Sequence, residues 1–177
     1  MILRFYEKLR RVHDGIPLKP GPVVFDPDIH LDDVYAFFVF CHSLKDWIKN
    51  DELIETKTKK KAEHLVTNRS CLRYCADIAN GIKHLEFDNQ RSKIRPRFKQ
   101  LRRTVFSPSA IAEARPLRVE DLEGGLLFAK DSYYLKTDEG TKEVFDLATE
   151  CVNTWKKFID EKILQKEKQV QPIGSSN

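Results

Sequence analysis

No stretch of the 177 residues approaches the apolar length that a bilayer span requires. Nor does an apolar run with a small-residue cleavage site open the chain, because Arg4, Glu7, Lys8, Arg10 and Arg11 interrupt its start. Neither secretion nor membrane insertion is expected. Glycine-rich phosphate loops, nucleophile elbows and metalloprotease helices are missing too, which removes the enzyme classes that a short motif would announce. Internal repeats are absent. Charge is nearly balanced: 31 Lys and Arg against 27 Asp and Glu leave a net +4, which permits nucleic acid as a partner without demanding it. Cysteine is scarce. The four residues, Cys41, Cys71, Cys75 and Cys151, fall in segments of helical pattern rather than at loop junctions, so they read as reduced thiols in a cytoplasm.

What is present describes a globular chain, 41% hydrophobic and 33% charged, of a length suited to one domain. The expectation is a mainly helical bundle over residues 1–165, a small antiparallel β insertion at about 98–137 before the C-terminal helix, and a polar, flexible tail over 166–177. Ile2, Phe5, Tyr6, Leu9 and Val12 recur at three- and four-residue steps, predicting an amphipathic helix that Gly15 ends. Four prolines, Pro17, Pro20, Pro22 and Pro27, make Ile16 to Pro27 an extended connector. A second helix starts near Asp28. Its segment from Val34 to Cys41 is wholly apolar or aromatic, which predicts the most buried helix of the domain. The lysine-rich run Lys57 to Lys61 reads as a solvated face or loop, and Thr67, Asn68 and Ser70 offer caps for a third helix running to about Phe87. Downstream, Pro108, Pro116, Gly124 and Gly125 punctuate β-prone pieces, and Leu126 to Lys130, then Asp131-Ser132, then Tyr133 to Thr137 reads as a hairpin. A last helix carries Val144, Phe145, Ala148, Val152, Trp155 and Ile159 on one side.

Chemistry concentrates on the third predicted helix. At 100° per residue, Arg73, Asp77, Asn80 and His84 fall within a sector of about 60°, opposite Cys71, Cys75, Ile78, Ile82 and Leu85. A guanidinium, a carboxylate, an amide and an imidazole in one line supply a phosphate binder, an orienter, a hydrogen-bond donor and a general acid or base. The same four residues also fit a solvated face with an Asp77–Arg73 pair at four-residue spacing. His42 and Asp46, one turn apart on the apolar second helix, need polar partners if buried, and the stripe offers matched ones, so the two helices are expected to pack there. Either a catalytic cluster or a buried structural network satisfies these groups.

From Arg91 to Arg103 the chain carries seven cations: Arg91, Lys93, Arg95, Arg97, Lys99, Arg102 and Arg103. They suit a β-edge with outward charges or a strip that follows a phosphate backbone. Cys71 and Cys75, one turn apart, could join Cys41 and His42 around zinc, but Cys-x-x-x-Cys on an apolar face reads first as small hydrophobes in a core. No metal and no cofactor is expected.

The segments HSLKDWI (His42 to Ile48) and CADIANGIKHL (Cys75 to Leu85) resemble a group of small bacterial and phage proteins that carry H-L-K/R-D-W and A-N-G-x-K-H segments. The second is also similar to the helical signature of the HEPN superfamily, whose members include ribonucleases of toxin and antiphage systems. That signature is an arginine, a polar residue, a short spacer and a histidine. Asn80 matches the polar position and His84 the histidine, while Ala79 stands where the arginine would be. The resemblance implies a HEPN-like helical bundle, RNA as a partner and a homodimer pairing its signature helices. Any activity it implies is metal-independent RNA cleavage in a conflict system. In an active version His84 is the general acid or base, Asn80 orients phosphate or ribose, and Arg73 or Lys83 replaces the missing cation. Ala79 equally suits a non-catalytic module that binds a protein partner.

Overall fold

The computed structural model describes residues 1–18, 30–84, 97–118 and 127–164. Helix α1 (Ile2–Asp14) buries Leu9 and Val12 one turn apart with Phe5 and Tyr6 partly covered, as its spacing predicts. It stops at Gly15, where φ is +117° and the amide donates to Arg11 O at 2.9 Å. A side chain there is doubly opposed, since a Cβ would also sit 2.7 Å from Phe106 Cζ. The chain then makes a two-residue strand, β1 (Ile16–Pro17), so the expected connector begins as sheet edge. Pro20, Pro22, Pro27 and Asp28 lie outside the described residues.

Helix α2 (Leu31–Asn50) follows. The run Lys57 to Lys61, expected as a solvated face or loop, belongs to a separate helix, α3 (Thr56–Asn68), which buries Thr58, Ala62 and Val66 at four-residue steps. Small, sparse buried residues hid this face among lysines, of which Lys57, Lys60 and Lys61 do point to solvent. Thr67 and Asn68, expected as caps of the next helix, close α3 instead: Thr67 Oγ1 donates to Glu63 O at 3.1 Å and Asn68 Nδ2 to His64 O at 2.8 Å. One extended residue, Arg69, separates α3 from α4 (Ser70–His84). The most enclosed helix is α4 rather than α2, because Cys71, Leu72 and every residue from Tyr74 to Ala79 are buried. Ala76 and Ala79 let neighbouring elements approach its backbone. By contrast α2 keeps one side partly open at Val39, Phe40 and Trp47.

The second half contains β2 (Arg97–Phe106), the short helix α5 (Pro108–Ala112), β3 (Phe128–Thr137), β4 (Gly140–Glu143) and α6 (Val144–Ile159), which runs on as a π-helical turn over Asp160–Leu164. All pairings are antiparallel around β3: β2 follows one edge, while β1 and β4 take the beginning and end of the other. The expected hairpin at Asp131-Ser132 is absent, since β3 passes straight through both residues opposite Arg103 and Arg102. An aspartate is tolerated mid-strand because Arg103, directly across, satisfies it. The reversal comes later, between Thr137 and Gly140 (φ +110°). Tyr133 and Leu135 of β3 join Phe37 and Phe38 of α2, Leu72 and Tyr74 of α4, and Leu147 and Trp155 of α6 in one core. Each such side chain contributes about 1.5–3 kcal/mol by leaving water. Among the described residues no helix is long and apolar enough to cross a membrane. The tail expected from residue 166 lies outside them.

Candidate functional site

The contact of α2 with α4 puts the Cys75 thiol 3.3 Å from Phe38 O, so the two helices that carry the predicted polar groups do pack together. Their side chains fare differently. Asp77 is sealed at 1% exposure and His42 is buried at 6%. Arg73 and Asn80 are partly exposed, and the Arg73 Nε is buried without a hydrogen-bond partner. His84 closes α4, with its side chain outside the description. Asp46 is half exposed and holds Lys45 Nζ at 3.2 Å. Ala79 is fully buried, so the position that would bear the signature cation faces the interior.

Of the cationic run, Arg91, Lys93 and Arg95 lie outside the described residues, as do the side chains of Arg97 and Lys99. Strand β2 runs along the sheet edge and, among the described residues, pairs on one side only. Its register sets Arg97 opposite Lys136, Gln100 opposite Tyr134 and Arg102 opposite Ser132, with one irregularity between Phe98 and Gln100. Arg102, Thr104 and Lys136 are exposed and Tyr134 is half-buried. Arg103 turns the other way. Its Nε and one terminal nitrogen each reach an Asp131 oxygen at 2.6 Å, and His30 Nε2 stands 4.0 Å from the same carboxylate. The sequence marks Asp131 only as a turn residue and does not single out His30. The strand-like alternation of Ala129, Tyr133 and Leu135 around Asp131 carried the signal.

A further polar group missed by sequence reasoning joins α4 to the β3–β4 turn. The Tyr74 hydroxyl donates to Asp138 Oδ1, and Lys142 Nζ, paired with Glu139 at 2.7 Å, lies 5.7 Å from the Tyr74 ring centre. Burial, reinforced by the Asp138 carboxylate, pushes the Tyr74 hydroxyl up to about 12. A phenol held above its ordinary value of about 10 binds its proton more tightly folded than unfolded. Its stabilisation is therefore complete below pH 10 and is lost as pH rises through about 12. Urea midpoints measured across this window should fall more steeply for the wild type than for Tyr74→Phe, and parallel profiles would remove the assignment.

Three of the four cysteines converge. Cys41 of α2, Cys75 of α4 and Cys151 of α6 hold their sulfurs within 4.8 Å of one another, all buried and unbridged. Cys71 adjoins them, its carbonyl accepting from the Cys151 thiol at 3.4 Å and its own sulfur lying 3.7 Å from Thr154 Oγ1. Burial pushes the Cys75 and Cys151 thiols up, while the Cys151 and Cys75 thiols and the Trp155 indole hold Cys41 well below the ordinary thiol range. The set differs from the one sequence spacing allowed: Cys151 takes the place given to His42. Elsewhere an open cleft of about 520 Å³ lies between α1, α2 and α6, bordered by Leu3, Leu44, Trp47 and Ile159.

No protein-family model matches the chain, and neither a curated protein nor a solved structure matches it significantly.

Proposed function

We propose that the chain is a HEPN-like RNA-binding protein that engages the phosphate backbone along β2 and the adjoining end of β3. One observation carries this reading: exposed Arg102 and Lys136 lie on an edge strand and its neighbour, with half-buried Tyr134 placed on β3 between Lys136 and Ser132, the partner of Arg102. Cations at strand spacing with an aromatic ring among them suit single-stranded RNA, where phosphates are neutralised and bases stack. The chain leading into β2 adds Arg91, Lys93 and Arg95 in sequence. The mainly helical fold and the match of Asn80 and His84 to the superfamily signature are compatible with it. Binding rather than cleavage is favoured, because Ala79, at the signature's arginine position, and Asp77 of the stripe are both sealed.

Fluorescence anisotropy with a labelled single-stranded RNA tests the reading. Releasing about three phosphate counterions gives a slope near −2, so affinity should fall roughly 20-fold between 50 and 200 mM salt. The double variant Arg102→Glu, Lys136→Glu should bind weakly and with a shallower slope. A wild type that binds no RNA, or whose binding ignores salt, rejects the proposal. Incubating wild type and His84→Ala with tRNA and mRNA separates binding from cleavage: cleavage by the wild type alone would restore His84 as a catalytic residue. The second reading, a non-catalytic protein-interaction module, draws on the same burial of Asp77, which fits a structural network.

A further inference from the structure

We propose that Cys41, Cys75 and Cys151, with Cys71 as the fourth ligand, bind one soft tetrahedral divalent cation, zinc, that ties α2, α4 and α6 together.

Buried cysteine is commonly a small hydrophobe, and that explanation accounts for each residue taken alone. It accounts less well for their arrangement. All four cysteines of the chain are buried, and three of them, drawn from three different helices, gather their sulfurs around one point with Cys71 alongside. With Zn–S bonds of about 2.3 Å, tetrahedral thiolates stand about 3.8 Å apart. The three sulfurs already lie within 4.8 Å of one another, so an inward shift of about half an ångström for each meets that geometry. Cys71 and Cys75 are one helical turn apart, which is the spacing that lets a single helix supply two ligands.

A second observation points into the cluster. Trp155, one turn beyond Cys151 on α6, is 3% exposed, and its indole N–H makes no full hydrogen bond, with the Cys41 sulfur the group near enough to draw on it. A neutral thiol is a weak acceptor for it, so a buried donor is left with little compensation. A metal-bound thiolate is a strong acceptor, and N–H groups directed at ligand sulfur are the usual support around such a site. Losing the S–H protons orphans nothing, because the carbonyls of Phe38 and Cys71 that now accept from thiols also face amides within their own helices. Around Cys71 the charges are mixed, with Lys142 and Glu150 both close enough to influence it. The dication itself is therefore the main compensation for the thiolates.

The full chain, purified under reducing conditions and stripped of metal, is titrated with cobalt(II) and then zinc. Expected are an intense sulfur-to-cobalt charge-transfer band in the near ultraviolet, tetrahedral visible bands, saturation at one ion per chain, and displacement of cobalt by zinc. Zinc, and not magnesium, should raise the melting temperature of the stripped protein by several degrees. Cys75→Ala and Cys151→Ala should each weaken cobalt binding at least about tenfold, with folding followed by circular dichroism. If a variant does not fold, the wild-type spectrum and melting curves decide alone. A folded, reduced wild type with no charge-transfer band and no zinc-dependent shift overturns the proposal and leaves four packed hydrophobes. So does a metal-free chain lighter by the two hydrogens of a disulfide, or a cobalt spectrum that both variants retain.

Discussion

Asp131→Ala should lower the unfolding free energy by about 3–5 kcal/mol, a large share of the roughly 5–15 kcal/mol expected for a domain of this size. The carboxylate is 3% exposed and takes two 2.6 Å hydrogen bonds from Arg103, whose side chain is only 12% exposed. Removing the acid strips a poorly hydrated guanidinium of its bidentate acceptor, and the cost of that stranded charge exceeds the value of the bond itself. The ion pair also explains how β3 can carry an aspartate through its middle, so its loss should loosen the β2–β3 pairing before the helices. Replacing both partners, Arg103→Met with Asp131→Leu, removes the charge and its counter-charge together and should cost less than the aspartate change alone. Urea denaturation of the two singles and the double decides this: additive losses would show that the pair is not coupled.

Installing the superfamily's cation by Ala79→Arg should unfold the protein or leave it insoluble, with a loss of more than about 4 kcal/mol. Ala79 is fully buried between Ile78 and the partly exposed Asn80, on a helix enclosed on nearly every side. An arginine there must displace packed neighbours and lose its hydration, and both costs fall on one site. Ala79→Gly, which adds no volume, should cost only about 1 kcal/mol. Circular dichroism and soluble yield of the two variants separate overpacking from general helix sensitivity. A folded Ala79→Arg chain would mean that this side of α4 opens readily, and gain of RNA cleavage by it would return the stripe to catalysis.

Legibility followed the strength of local periodicity. The helices α1 and α6 stood out because large apolar residues recur at helical steps and Gly15 marks a stop. Helix α3 did not, since Thr58, Ala62 and Val66 make only a faint stripe beneath lysines. The Asp131-Ser132 pair imitates turn chemistry, and only the guanidinium across the strand reveals it as ladder. On α4, angular arithmetic placed Asp77 on a polar face, yet a helix wheel does not say how many sides of a helix are covered. Enclosure of α4 by its neighbours decided that Asp77 is sealed and Ala79 interior.

Composition and spacing alone determined a mainly helical chain with a small antiparallel sheet and the ends of its outer helices. These depend on residues within a turn or a strand of one another. Tertiary structure alone decided which polar groups meet: Arg103 with Asp131, Tyr74 with Asp138, and the sulfurs of Cys41, Cys75 and Cys151. Such meetings are set by how whole elements stack on a shared core, and that packing is a sum over many weak contacts that no single stretch of sequence contains.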